Sequence, residues 1–137
     1  GAVGKQSSVV AAIPAVRAAL LEFQRNFART PPGAVLDGRD VGTVVCPWPE
    51  TVKIFVTASP EARARRRYNE LLGMGETPIY AAVFADLAER DRRDAERSDA
   101  PMKPAPDADV LDTSALDADA AFRTALGLIA AKTRGRE

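Results

Sequence analysis

The sequence predicts an α/β protein with parallel strands. Two observations carry that reading. Three short runs, Ala34-Val35-Leu36, Val52-Lys53-Ile54-Phe55-Val56-Thr57 and Asp109-Val110-Leu111-Asp112-Thr113, are apolar or β-branched enough to be strands. Between and around them lie longer stretches whose apolar residues recur at three-to-four spacing, as on one face of a helix. Strands that alternate with helices imply parallel strands in a layered sheet.

The elements follow in order. Ser7-Ser8 read as helix caps ahead of the apolar-rich stretch Val9 to Ala28. Pro14 interrupts that stretch, so the main helix is expected from about 14 to 28, burying Val16, Leu20, Phe23 and Phe27. Thr30-Pro31-Pro32-Gly33 ends it. Ala34-Val35-Leu36 suits a buried parallel strand feeding the loop that opens with Asp37-Gly38. Val44-Val45-Cys46 is a weak apolar run, and Val52–Thr57 is the strongest strand signal. Ser59-Pro60-Glu61 starts a helix that runs to about Leu72 and stops at Gly73. Thr77-Pro78 starts the next, which turns Tyr80, Val83, Phe84 and Leu87 inward before becoming intensely charged. Ala100 to Asp107 is Pro-rich loop, Asp109–Thr113 a last strand, and Asp117 to about Ala131 a final helix.

Composition excludes several kinds of chemistry. The 137 residues, 46% hydrophobic and 28% charged, are enough for one domain with a core. No histidine is present, which excludes Ser-His-Asp and Cys-His catalysis and argues against zinc. The single cysteine, Cys46, rules out an internal disulfide and fits a reducing cytosol. No apolar run approaches the roughly 18 residues of a membrane span, and no signal peptide opens the chain. A cytoplasmic protein is the expectation. Net charge is zero, so nothing global draws the chain to nucleic acid or membrane. Yet the 19 basic residues are fifteen Arg and four Lys. Such an excess suits forked recognition of phosphate or carboxylate, although a GC-rich genome would also produce it.

Three clusters carry the candidate chemistry. In open parallel sheets, ligands sit beyond the carboxyl ends of the strands. Asp37-Gly38-Arg39-Asp40 follows one expected strand directly, and Asp112-Thr113 ends another. Carboxylates there can hold hydrated Mg²⁺ through water, and Arg39 can grip a phosphate. On the helix after Ser59, Arg63 and Arg67 are four apart and share a face. Farther on, Arg90, Asp94 and Arg97 form one continuous face that could clamp a phosphate and a sugar hydroxyl, whereas Asp91, Arg92 and Arg93 read as surface pairs. A solvated, ion-paired helix face is the alternative for both Arg clusters. Residues 61–97 hold eight Arg and eight acids, which argues against a nucleic-acid binder. Gly4-Lys5-Gln6 does not make a phosphate-cradling loop.

With these clusters placed, the chain resembles the bacterial cytidylate kinases, a nucleoside monophosphate kinase family. The matching blocks are Ser7–Arg17, Leu36-Asp37-Gly38-Arg39-Asp40-Val41-Gly42-Thr43-Val44-Val45, Lys53–Glu61 with its Arg-rich helix, Glu89–Asp94, and Ala100-Pro101 ahead of Asp112-Thr113. The resemblance implies transfer of the γ-phosphoryl of ATP to CMP or dCMP with Mg²⁺. Ser8 and Arg17 match positions that read cytosine, joined by Asp40. Arg39 matches a position that grips the CMP phosphate, Arg90 and Arg97 match phosphate-binding arginines, and Asp94 matches a residue that bonds the ribose. Arg63 and Arg67 match positions near ATP, and Asp37 sits where such kinases keep an acid near Mg²⁺. Phosphoryl transfer asks mainly for positioning and cations around developing negative charge, so the lack of histidine is no obstacle.

The family begins with a strand and a phosphate loop, and this chain starts after them. The expectation is therefore an incomplete three-layer parallel sheet of P-loop kinase type, inactive by itself. Its regions would be residues 1–33, closing the CMP-binding region and adding a core helix, 34–72, core, 73–90, a lid, and 91–137, the rest of the core. A monomer is expected for the complete protein, and self-association for this chain. The competing class is a non-catalytic module that binds a nucleotide or partner.

Overall fold

The computed structural model describes residues 13–96 and 103–134, with side chains given up to Arg93 on the first of these. The helices are α1 (Pro14–Arg29), α2 (Pro60–Gly73), α3 (Tyr80–Glu96) and α4 (Ala118–Thr133); the strands are β1 (Ile54–Thr57) and β2 (Asp109–Asp112). The two strands run parallel, with Ile54 opposite Asp109 and Thr57 opposite Asp112. The predicted α/β class and parallel pairing are thus observed.

Local chemistry explains the boundaries. Pro14 supplies the first helical residue of α1, where a missing N–H costs nothing. Ser59 caps α2, its hydroxyl accepting from the Ala62 N–H at 3.1 Å. The stop signal lies two residues beyond Gly73. Gly75 adopts φ +80° and its N–H donates to Leu72, while the Glu76 N–H donates to Leu71, the paired bonds of a left-handed helix cap. α3 begins at Tyr80 rather than Thr77, its first turn closed by Ala82 and Val83 N–H groups on the Ile79 carbonyl. Asp117 caps α4 by accepting from Ala120.

Three expectations are corrected. Ala34–Leu36 is extended but no strand, and Val35 is fully exposed. A strand exists only with a hydrogen-bonded neighbour, and none of the described residues pairs with it. The apolar stripe of α1 is not buried either: Leu20, Phe23 and Phe27 are 51%, 68% and 54% exposed. Nothing among the described residues covers that face. The weak run at Val44–Cys46 instead belongs to a single π turn, Val41–Val45, in which the Cys46 N–H donates to the Val41 carbonyl at 2.7 Å. Such turns recur at functional sites. The expected caps Ser7-Ser8 lie outside the described residues.

The core is small. Val45, Cys46, Ala105 and Leu111 are buried around the sheet, and Ala64 and Val83 where α2 packs on α3. Lys53 is also buried, just ahead of β1. Its ammonium donates to the Asp107 carboxylate at 2.6 Å and to the Pro47 carbonyl at 3.1 Å. α1 is tied to the π turn by Arg25, whose guanidinium donates to the Val44 and Val45 carbonyls at 2.7 and 3.2 Å.

Candidate functional site

The carboxyl ends of both strands meet in one hydrogen-bonded junction. The Thr113 N–H donates to the Thr57 carbonyl at 2.9 Å and its hydroxyl to the same oxygen at 3.0 Å. The Ser59 N–H, at the start of α2, donates to the Ser114 hydroxyl at 2.7 Å. Ser114 in turn donates from its N–H to Asp112 at 2.8 Å and from its hydroxyl as well. Those bonds hold the Asp112 carboxyl below its usual range.

α2 delivers one arginine to this junction. Arg66 donates to the Thr113 hydroxyl at 3.1 Å, to the Thr113 carbonyl, and to the Leu116 carbonyl at 3.3 Å. Arg63 turns the other way. Its Nη1 and Nη2 grip Asp91 of α3 at 2.8 and 2.6 Å, and its Nε donates to the Ala58 carbonyl at 3.3 Å. The fork pulls the Asp91 carboxyl below its usual value and raises the Arg63 guanidinium. Arg67 pairs with Glu70 at 2.7 Å on the surface. Arg90 is exposed on α3.

The Asp37–Asp40 loop borders a different recess, a cavity of about 980 Å³. Asp37, Gly38 and Arg39 line one wall; Lys53, Ile54 and Phe55 line another; Ala28, Arg29 and Trp48 contribute from α1 and the segment after the π turn. Arg29 lies over the Trp48 ring, 3.9 Å from its centroid. Gly38 is required by space, because a Cβ there would stand 2.9 Å from Val41 Cγ2. Asp40 is half-buried, and its carbonyl receives the Val44 N–H at 2.8 Å, so the loop runs straight into the π turn.

The expected site residues are therefore distributed. The loop residues Asp37 and Arg39 share the recess; Arg63, Arg67 and Arg90 do not line it. Arg17 is exposed on α1. Ser8 and Arg97 lie outside the described residues, and Asp94 is described through its backbone in α3 alone. Sequence reasoning passed over two groups. Arg66 holds the exit of β2, and the polar run Asp112-Thr113-Ser114 was its only signal. Asp91 reads as a surface acid because its partner lies 28 positions away.

Among the described residues no three acidic or thiol groups gather as a metal site. Asp37 and Asp40 are oxygen donors of the type Mg²⁺ accepts, and that ion keeps most of its waters when one or two carboxylates and a phosphate hold it. The loop fits such a water-mediated contact.

The molecule is thus an α/β protein with a parallel sheet, an arginine bound at the exit of β2 and an Asp-Gly-Arg-Asp loop on a separate recess. Residues 1–130 match the profile of the cytidylate kinase family. The chain is 58% identical over 135 residues to a cytidylate kinase of Methylobacterium sp. (strain 4-46), covering 98% of this chain and 64% of that protein. It is 63% identical over 129 residues to a cytidylate kinase of Paramagnetospirillum magneticum (strain ATCC 700264 / AMB-1), covering 92% and 61%. A third relative, the cytidylate kinase of Rhodopseudomonas palustris (strain BisA53), is 55% identical over 135 residues, covering 98% and 64%. The chain belongs to the cytidylate kinase family, whose fold is that of the P-loop kinases. It spans 61–64% of the length of these curated relatives.

Proposed function

We propose that the protein to which these residues belong transfers the γ-phosphoryl of ATP to CMP or dCMP, giving ADP and CDP or dCDP. The observation that carries the reading is the family match over residues 1–130, which includes both the Asp37–Asp40 loop and the Arg-bearing helices. Arg39 receives the CMP phosphate, helped by Arg90 and Arg97, with Asp94 on the ribose and Ser8, Arg17 and Asp40 on the cytosine. Arg63 and Arg67 face ATP. Mg²⁺, held through water near Asp37, supplies positive charge to the phosphates when bound. Forked guanidiniums suit this work, because phosphoryl transfer is catalysed chiefly by placing positive charge around the moving group.

In this reading residues 73–90 form a lid that excludes water, and the two strands belong to a three-layer parallel sheet. Residues 1–33, 34–72 and 91–137 divide as the end of the CMP-binding region with the core helix, the core, and its remainder. The protein works in the cytoplasm, as a monomer when complete. The 137 residues bind CMP but do not turn it over alone. Calorimetric titration with CMP and UMP, beside a coupled assay for CMP-dependent ADP formation, tests this. CMP binding without turnover is expected. Equal affinity for CMP and UMP contradicts the substrate, and full turnover contradicts the claim about the isolated chain. Arg39→Ala removes a charge-assisted phosphate contact and is expected to weaken CMP about tenfold or more. Undiminished CMP affinity in that variant would remove Arg39 from the site.

A further inference from the structure

α3 is held to the molecule in two unlike halves. Its first half packs. Val83 is buried and Phe84 and Leu87 are half-buried, while the Tyr80 ring meets Tyr68 of α2 edge-on at 5.9 Å and lies 6.4 Å from Phe84. From Ala88 to Arg93 every side chain is exposed. Apolar contact therefore places the first half only. The second half is the one that carries Arg90 and continues to Asp94.

The Arg63 fork reaches this half from outside the helix. Both ends of the guanidinium are engaged: Nε on the Ala58 carbonyl, one residue past β1, and the two terminal nitrogens on Asp91. The strand end, the guanidinium and the carboxylate make a continuous polar strut. Two parallel N–H···O bonds fix orientation as well as distance, which a single contact does not. Glu89, by contrast, pairs with Arg92 and Arg93 inside α3. Arg63 uses three of its five N–H groups here and keeps two for an anion.

We propose that Asp91 is a positioning residue for the nucleotide: its grip on Arg63 holds the exposed half of α3 at the strand end, so that Arg90 meets the CMP phosphate. The inference rests on the CMP reading given above and adds to it a residue that touches no substrate. Without the strut, Arg90 still exists but is presented over a wider range of positions, and binding bears the cost of ordering it.

Calorimetric titration of CMP into the 137-residue chain tests this, with helicity and melting followed on each variant. Asp91→Asn keeps the shape and removes the charge, and it is expected to weaken CMP about fivefold, the scale of coupling through a positioning contact. Asp91→Glu, which keeps the carboxylate, is expected to recover most of that loss. Glu89→Gln, which loosens pairs internal to the same helix, is expected to bind CMP as the parent does. Wild-type affinity in Asp91→Asn overturns the proposal, as does equal weakening in Asp91→Asn and Glu89→Gln that tracks loss of helix. A parent chain that ignores CMP overturns the substrate reading and this inference together, whereas a parent that binds beside an unaffected Asp91→Asn overturns the positioning role alone.

Discussion

Lys53 carries an ammonium into the interior, its side chain only 4% exposed, and Asp107 meets it from the segment before β2. The pair joins the entrances of the two strands. Asp107 is itself half-exposed, so its worth is well below that of a fully buried pair. Asp107→Ala leaves the ammonium with the Pro47 carbonyl as its one partner among the described residues and is expected to lower the urea denaturation midpoint. No change in the midpoint would show that water replaces the carboxylate fully. Acid acts on the same contacts. Asp91, Asp107 and Asp112 are all held below their usual values, by the Arg63 fork, the Lys53 ammonium and the Ser114 hydroxyl respectively. The unfolded chain, with ordinary carboxyls, takes up protons first as pH falls. The stabilisation is complete above the ordinary carboxylate range near 4 and is lost as pH drops through the folded values. A urea midpoint lower at pH 3 than at pH 6 is expected, and equal midpoints would contradict these shifts.

At the scale of elements, the start of α2 ties the end of β1 to the segment that follows β2. Ser59 caps the helix with its hydroxyl and anchors it to Ser114 with its N–H. Ser59→Ala removes only the first of these and is expected to cost about 1 kcal/mol, read by thermal melting. A cost near zero would show that Pro60 and Glu61 suffice to start the helix. This element was fully legible in the sequence, because Ser-Pro-Glu encodes its own boundary locally. The strand before it was legible for the same reason: Val52–Thr57 is β-branched and aromatic whatever surrounds it. The stretch at 34–36 was not, because a strand needs a neighbour and the neighbour is not encoded in Ala-Val-Leu. The π turn was hidden too, since two valines and a cysteine signal burial without signalling helix type. Within the site, Asp37-Gly38-Arg39-Asp40 could be read off as a unit, but the Arg63–Asp91 strut joins residues whose proximity only the packing of α2 on α3 creates.

At the scale of the molecule, large apolar side chains among the described residues stand open to water on the sheet and on two helices. Paired residues of parallel strands share a face, so Val56 and Val110 look out from opposite faces of the sheet, each 58% exposed. Parallel strands ordinarily have both faces covered. Phe23 of α1 and Phe122 of α4 are 68% and 64% exposed. Patches of this kind seek cover. Sedimentation of the 137-residue chain is expected to show mass rising with concentration, and Val56→Lys to reduce it. A monomer at all concentrations would mean these faces are tolerated in water.

Trp48 is the chain's sole indole, and it borders the recess with Arg29 stacked on its ring. Nature has thereby installed an optical reporter where the Asp37–Asp40 loop faces β1. A neighbouring cation and access of water both alter indole emission, so anything that fills that space or displaces the guanidinium will register as a change in colour or brightness. Occupancy of the recess can be followed in real time without attaching a dye.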